Sequence, residues 1–294
     1  MQSNYKPLIT RTPDTQYRDR LAFILKYGIL TEKTPQGVAA ITCFGTLPQM
    51  VFDLSNGVPL ITERALPSWK SAVGEVVAFI NGARTIDEIE SYGVNPAFWS
   101  PYRGKGYGPD KIDMGPGSYG AVFHDLPMPD GSTFNQLQNI VDQIKQFPDM
   151  RSHRVTNWIP YYTRRGEGRR VIVTPCHGTM HWRVIQGKLH LHMKQDSADM
   201  PIGVPHNMIQ YAALLLMMCQ VTGYKPGNYI HSFSDAHIYE NQVEKVKELI
   251  ERPAKPFPTM YLYKGIEDLF EFRLNHFSIE EYDPHPGMKI PYAP

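Results

Sequence analysis

Cysteine is scarce in this chain: three residues, Cys43, Cys176 and Cys219, out of 294. They are too few and too widely spaced for a disulfide framework. No Cys-x-x-Cys pair offers a structural zinc site, so no metal is expected. Long apolar runs are missing as well; the nearest approach, Ala212 to Val221, is too short to span a bilayer. The opening MQSNYKPLITRTPDTQYRDR lacks the apolar stretch of a secretory signal. With thiols suited to a reducing compartment, the expectation is a cytoplasmic protein with no membrane contact. Net charge is almost absent, a formal +1 from 30 basic and 29 acidic residues. That removes any bulk pull toward nucleic acid or anionic lipid, and anion binding has to be local. Internal repeats and low-complexity linkers are lacking too, which predicts one domain over residues 1–294.

What remains is an ordinary globular composition, 42% hydrophobic and 20% charged, with enough apolar residues for a sizeable core. Residues Tyr17 to Tyr27 read as helix and Ala39 to Phe52 as strand. From Ser68 to Ile80 the apolar positions Trp69, Ala72, Val73, Val76, Val77 and Ile80 follow helical spacing, and Asn81-Gly82 supplies a stop. Residues Pro96 to Gly120 form a long irregular stretch. Its aromatics Phe98, Trp99, Tyr102, Tyr107 and Tyr119 predict an ordered, functional loop. Phe134 to Phe147 reads as an amphipathic helix, and Arg170 to Thr174 as a short strand running into Pro175 and Cys176. Gln186-Gly187 has the character of a hairpin turn, with Leu189, Leu191 and Met193 alternating against His190 and His192. Asn207 to Thr222 is apolar nearly all round and predicts a buried helix, ended by Gly223 and Pro226. The tail EEYDPHPGMKIPYAP carries four prolines and cannot be regular. Strands and helices mix without a βαβ rhythm, so the expected class is α+β.

Several of these segments carry side chains with chemistry. Cys176 follows the predicted strand and a proline. His177, Arg169, Arg170 and Arg183 nearby would supply the positive surroundings a thiolate needs; alone, such a cysteine is more often a structural one. Glu75 sits on the flank of an apolar helix face, where desolvation raises a carboxyl pKa and suits proton relay. Asn207 is either a helix cap or a ligand group; its amide offers one donor and one acceptor, matching the carbonyl and imide N–H edge of uracil, whereas a cytosine edge would favour a carboxylate. His237 and Tyr239, two apart, share a face if they lie on a strand. The run RRGEGRR, Arg164 to Arg170, is a candidate phosphate grip or a solvated loop. A metal reading of His177, His181, His190 and His192 is disfavoured, because His190 and His192 alternate on a solvated strand face.

Four blocks turn these features into one pattern: PCH at Pro175 to His177, QDSADMPIGVPHN at Gln195 to Asn207, SDAHIYENQVEKVKE at Ser234 to Glu248, and YDPHPGMKIP at Tyr282 to Pro291. From about Phe44 to the C-terminus the chain resembles the thymidylate synthase family, which includes the pyrimidine hydroxymethylases. The resemblance implies a three-layer α+β fold, with a mixed sheet and flanking helices, in a homodimer formed by sheet packing. It implies transfer of a one-carbon unit from 5,10-methylenetetrahydrofolate to carbon 5 of a pyrimidine nucleotide, dUMP to dTMP first. Cys176 would attack carbon 6, Glu75 would be the relay glutamate, and Tyr119 would assist removal of the carbon 5 proton. His177 belongs with this catalytic group. Asn207, His237, Tyr239, Gln195, Ser197, Lys33 and Arg151 fall to the nucleotide, with Arg151 reaching a partner subunit's phosphate. Asp199, Trp99, Gly203 and Tyr102 fall to the folate. The tail would close over the site and exclude water.

The chain departs from the family pattern mainly where phosphate is bound. Asp196 stands where an arginine is usual, Ser152 replaces the second arginine of the partner-donated pair, and Lys33-Thr34-Pro35 replaces Arg-Thr-Gly. A longer stretch from Trp158 to Cys176, containing RRGEGRR, gives the expectation that Arg164, Arg165, Arg169 and Arg170 rebuild the anion site with Lys33 and Arg151. Tyr102 stands for tryptophan and His206 for phenylalanine. These changes keep a dUMP or dCMP hydroxymethylase open as the alternative. A catalytically silent nucleotide- or RNA-binding homologue is a further one, disfavoured by Cys176, Glu75, Tyr119 and Asn207 together.

Overall fold

The computed structural model describes residues 5–292; Ala293 and Pro294, the last two residues of the expected closure segment, lie outside the described residues. Helix α1, Gln16–Tyr27, leads into strands β1, Ile29–Thr31, β2, Ala40–Phe44, and β3, Met50–Asp53. Helices α2, Trp69–Ile80, α3, Ile86–Ser91, and α4, Tyr119–His124, follow, then the short ladder of β4, Leu126–Pro127, with β5, Thr133–Phe134. Helix α5, Gln136–Gln146, precedes β6, Arg154–Val155, β7, His177–Ile185, and β8, Lys188–Asp199. Helix α6, Gly203–Thr222, then leads to β9, Lys225–Tyr239, helix α7, Val243–Ile250, and a final pair, β10, Thr259–Leu262, with β11, Phe277–Glu280.

Seven strands make one mixed sheet in the order β1-β2-β9-β8-β7-β6, with β3 also on β9. Only β8 and β9 run parallel, and α6 is the crossover between them. Strand β9 is long enough to take two short partners on one edge: β3 opposite Asn228 to His231 and β2 opposite Asp235 to Tyr239. Helix α6 packs on β8 and β9 on one side and on α2 on the other. That is why its sequence is apolar all round: the sheet, α6 and α2 form three layers, with α6 in the middle.

Local chemistry sets the ends of these elements. The Asn81 side-chain amide donates to the Val77 carbonyl at 2.9 Å, and Gly82 at φ +81° stops α2. Helix α3 has a capping box between Thr85 and Glu88. Asn135 caps α5 through Gln138 N–H at 2.9 Å, so that helix begins two residues after the predicted Phe134, which pairs in β5 instead. The predicted hairpin forms, with both Gln186 and Gly187 at positive φ.

Two predicted strands are corrected. Residues 39 to 52 are two strands, because Gly45 at φ +68° turns the chain and donates its N–H to the Ser234 carbonyl. Residues 170 to 174 are irregular. The Arg170 carbonyl accepts from Gly117 N–H, Ile172 N–H donates to Met114, and the Arg169 guanidinium binds the Val171 and Ile172 carbonyls. Backbone groups that would build a ladder are spent on the loop and on a side chain. The long stretch before Tyr119 is ordered as expected: it carries 3-10 turns at Pro96–Phe98 and Ser100–Tyr102, and Arg84 grips Asp113 with two bonds of 2.6 Å.

Gly178 follows the start of β7 at a bulge, with φ +105°. A Cβ there would lie 2.6 Å from the Tyr211 hydroxyl oxygen and 2.8 Å from Phe123. Gly178→Ala combines backbone strain with overpacking and is expected to lower stability by about 2–3 kcal/mol. A urea unfolding midpoint equal to that of the parent chain would contradict this.

Candidate active site

Cys176 precedes β7, and its carbonyl accepts from Asp196 N–H at 2.7 Å and Ser197 N–H at 3.3 Å on β8. Its own N–H donates to the Tyr119 hydroxyl at 2.6 Å, and its thiol donates to the Thr174 carbonyl at 3.3 Å. The cysteine is therefore tied to α4, β8 and the loop before it. Tyr119 is itself wedged: Phe79 stacks on one side at 4.7 Å between ring centres, and His177 stacks at 4.7 Å. The His177 ring meets the Tyr211 hydroxyl at 2.8 Å. Among the described residues nothing ties that ring to the sulfur; its contacts hold Tyr119 in place.

Glu75, on α2, receives the Trp99 indole N–H at 2.7 Å on one oxygen and the Gln210 amide N–H at 2.5 Å on the other. Burial pushes its carboxyl up to about 6, against the pull of these two donors. From Gln210 the contacts continue through α6 to β8 and β9. Asn207 Nδ2 donates to Gln210 Oε1 at 2.9 Å, and Gln195 Nε2 donates to Asn207 Oδ1 at 3.0 Å and to the Ser197 carbonyl at 2.9 Å. Gln195 Oε1 meets His231 Nε2 at 2.8 Å, and His231 Nδ1 meets the Tyr229 hydroxyl at 3.1 Å.

Asn207 is thus not a helix cap. Helix α6 begins at Gly203, four residues earlier than Asn207, and Asp199 Oδ1 accepts the Ile202 N–H at 3.2 Å at its start. Pro205 lies in the first turn, where its missing N–H is no loss.

The expected positive surroundings of Cys176 are not there. Arg169 is occupied by backbone carbonyls, Arg183 lies toward the hairpin end of β7, and burial lowers the His177 pKa to about 3, so that ring is neutral. The Cys176 thiol is pushed up to about 11, first by burial and then by the Asp196 carboxylate, with Tyr119 and Arg165 pulling the other way. Asp196 is paired to Lys194 at 2.9 Å and accepts from the Ser234 hydroxyl at 3.3 Å. Of the loop arginines, Arg164 lies over the Tyr161 ring, and Arg165 is the one whose charge bears on the sulfur.

A second group gathers around Asp199. Burial raises its pKa, offset by His237. Among the described residues, its carboxylate receives only two long 3.4 Å approaches from Gln242 besides the Ile202 N–H. His237 and Tyr239 share a face of β9, as expected, with ring centres 5.0 Å apart, and His237 Nδ1 meets Asp235 at 2.9 Å. Gln242 also donates to the Pro291 carbonyl at 3.1 Å, which ties down the tail. Further back, Tyr282 and His285 bind the backbone of residues 61 to 66. Tyr102 lies 5.7 Å from Trp99 between ring centres, and burial with Tyr292 nearby pushes its hydroxyl up to about 12. His206 Nδ1 donates to the Ile202 carbonyl at 2.8 Å, so its other nitrogen accepts the Ser68 hydroxyl at 2.7 Å. Gly203 opens α6 directly between Asp199 and Asn207.

Two expected residues stay apart from this cluster. Lys33 follows β1 and Arg151 precedes β6, at opposite edges of the sheet, and both are exposed. His190 and His192 spend a ring nitrogen each on Asn228 N–H and the Ser232 hydroxyl. Sequence reasoning missed Gln210, His231 and Tyr229. The available signal was Gln210 itself, a polar residue within an apolar helix, where a buried amide demands partners.

A thiol just before a strand, a desolvated glutamate, an aromatic wall and a buried amide chain are groups able to serve covalent and proton-transfer chemistry. The family model described as thymidylate synthase matches residues 15–294, and the chain belongs to the thymidylate synthase family. The match starts well before Phe44, taking in α1. Membership supports, in general terms, transfer of a one-carbon unit from methylenetetrahydrofolate to carbon 5 of a pyrimidine.

The charge around the sulfur is testable without substrate. Alkylation of Cys176 by iodoacetamide, followed by peptide mass spectrometry, should accelerate only as pH climbs toward about 11. Asp196→Asn should move that rise to lower pH; an unmoved profile would show that the carboxylate does not act on the sulfur.

Proposed function

We propose that the chain is one catalytic domain that methylates carbon 5 of a uracil nucleotide, dUMP to dTMP, with reduced folate as the one-carbon donor. The observation that carries this reading is that two bonded pairs lie close together: Cys176, just before β7, bonds Tyr119 of α4, and Glu75 of α2 is joined through the Gln210 amide to Asn207 of α6, with Cys176 and Glu75 both near enough to Tyr119 to raise its pKa. Cys176 adds to carbon 6 of the ring, and carbon 5 becomes electron-rich. Since the resting sulfur is a thiol, its proton passes to the carbon 4 oxygen of the ring as the bond from sulfur to carbon 6 forms and the C5=C6 electron pair shifts toward that oxygen and carbon 5. Asn207 presents one N–H and one oxygen lone pair to the ring edge. Tyr119, pinned between Phe79 and His177, assists loss of the carbon 5 proton, and Glu75 relays protons. His177 is a positioning residue. Ser197, His237 and Tyr239 hold the sugar side.

Reduced folate supplies the one-carbon unit and, for methylation, a hydride. The residues present suit it: Asp199 retains acceptor capacity for a pterin N–H edge, Gly203 opens α6 beside it, and Trp99 and Tyr102 offer aromatic faces. The tail, anchored by Tyr282, His285 and Pro291, favours the dry, reductive outcome. Hydroxymethylation, in which water adds instead, is the second reading. The Ser68–His206 pair and the Tyr102 hydroxyl favour it, being polar groups able to seat water. For the phosphate, we propose Arg165 in place of the arginine lost at Asp196. Lys33 and Arg151 stand at opposite sheet edges, so one of them reaches a phosphate only across a homodimer.

Tritium release from carbon 5 of dUMP should be readily measured in the parent chain and fall about a thousandfold or more in Cys176→Ala. Undiminished release would end the covalent reading. Dihydrofolate absorbance should accompany turnover; a hydroxymethyl product without it would favour the second reading. With Glu75 acting as a base, kcat/KM should rise with pH through about 6 and then level. Glu75→Gln should lower the rate and remove that limb; a limb retained in the variant would assign the titration elsewhere.

A further inference from the structure

The scheme above gives Gln210 no chemical role, yet among the described residues it alone links Glu75 to Asn207 through hydrogen bonds. It is 1% exposed, on the side of α6 that meets α2. Both ends of its amide are engaged, at 2.5 Å to Glu75 and 2.9 Å to Asn207. The polarity of this chain is not free. A carboxylate only accepts, so Gln210 turns its N–H to Glu75 and its oxygen to Asn207. That oxygen only accepts, so Asn207 turns its NH2 toward α2. From the other side, the Ser197 carbonyl only accepts, so Gln195 turns its NH2 toward Ser197 and Asn207. The Asn207 oxygen therefore points to Gln195. His231 completes the arrangement by donating to Gln195 Oε1 while accepting from Tyr229. An Asn207 amide rotated by half a turn would set oxygen against oxygen at Gln210 and N–H against N–H at Gln195.

We propose that Gln210 is a specificity-determining residue: held between Glu75 and Asn207, it fixes the direction of the Asn207 amide, so that the site takes a pyrimidine edge offering a carbonyl beside an N–H and rejects one offering an amine beside a bare ring nitrogen. This rests on the reading that Asn207 faces a pyrimidine. One N–H and one lone pair of Asn207 have no partner among the described residues, and their order along the ring edge follows from the lock. Uracil matches that order and cytosine opposes it. Without Gln210, only Gln195 resists rotation of the amide, and a rotated amide suits cytosine.

The test compares dUMP and dCMP affinities by titration calorimetry on the full chain, for the parent, Gln210→Ala and Gln210→Met, with turnover of each nucleotide followed in parallel. Methionine keeps the volume inside the buried helix, so a folding defect of the alanine variant does not decide the result. The parent should prefer dUMP, and both folded variants should show that preference reduced about tenfold, the scale of one buried hydrogen bond. A defect that only loosened the site would weaken both nucleotides alike. An unchanged ratio in the variants, or a parent that prefers dCMP, would overturn the assignment. Nucleotide binding with the expected ratios but no turnover in the parent would remove the proposed reaction and leave the lock standing.

Discussion

A helix with no face to water can carry amide side chains only if they satisfy one another, and the site depends on that constraint. Helix α6 lies between the sheet and α2, so Gln210 has no solvent to turn to, and Asn207 keeps only a small exposed edge. An unpartnered amide there would lose about 1–3 kcal/mol each. The result is a continuous chain from Trp99 and Glu75 on one side to His231 and Tyr229 on the other. Because each link has a fixed donor and acceptor end, burial specifies direction as well as position. The same packing that stabilises the three layers therefore aims the polar groups of the candidate site.

Burial also decides which groups carry charge at rest. His177 is neutral because nothing near it offsets the loss of hydration. Cys176 holds its proton, since desolvation and Asp196 outweigh Arg165. Glu75 is the exception that remains near neutrality, because two donors oppose a burial that would otherwise carry it higher. The Cys176 thiol therefore has little fixed positive charge near it to hold a thiolate at rest. The Asp196–Lys194 pair sits beside that sulfur and cancels much of its own field at a distance, which leaves its influence short-ranged.

Much of this was legible in the order of residues. The apolar spacing of Trp69 to Ile80 and the unbroken apolar run after Asn207 identify α2 and α6, because helix periodicity and helix burial are written locally. The hairpin at Gln186-Gly187 is legible for the same reason. Residues 170 to 174 misled because RVIVT has the composition of a strand, while its backbone partners, Met114, Gly117 and the Arg169 side chain, come from elsewhere. Residues 39 to 52 misled because the turn at Gly45 is held by Ser234, a contact from the far end of the chain.

The sequence by itself determined the α+β class and the family pattern, and through that pattern it singled out Cys176, Glu75, Tyr119 and Asn207 as candidates, since those rest on residue type and spacing. Only the tertiary structure decided that Arg169 and Arg183 are turned to other uses while Arg165 alone bears on the sulfur, that His177 props Tyr119 instead of reaching the sulfur, and that Gln210 joins Glu75 to Asn207. The physical reason is the same in each case. Charge, hydration and hydrogen-bond direction belong to a neighbourhood assembled from α2, α4, α6, β7 and β8, and residues distant along the chain meet there only when the layers close.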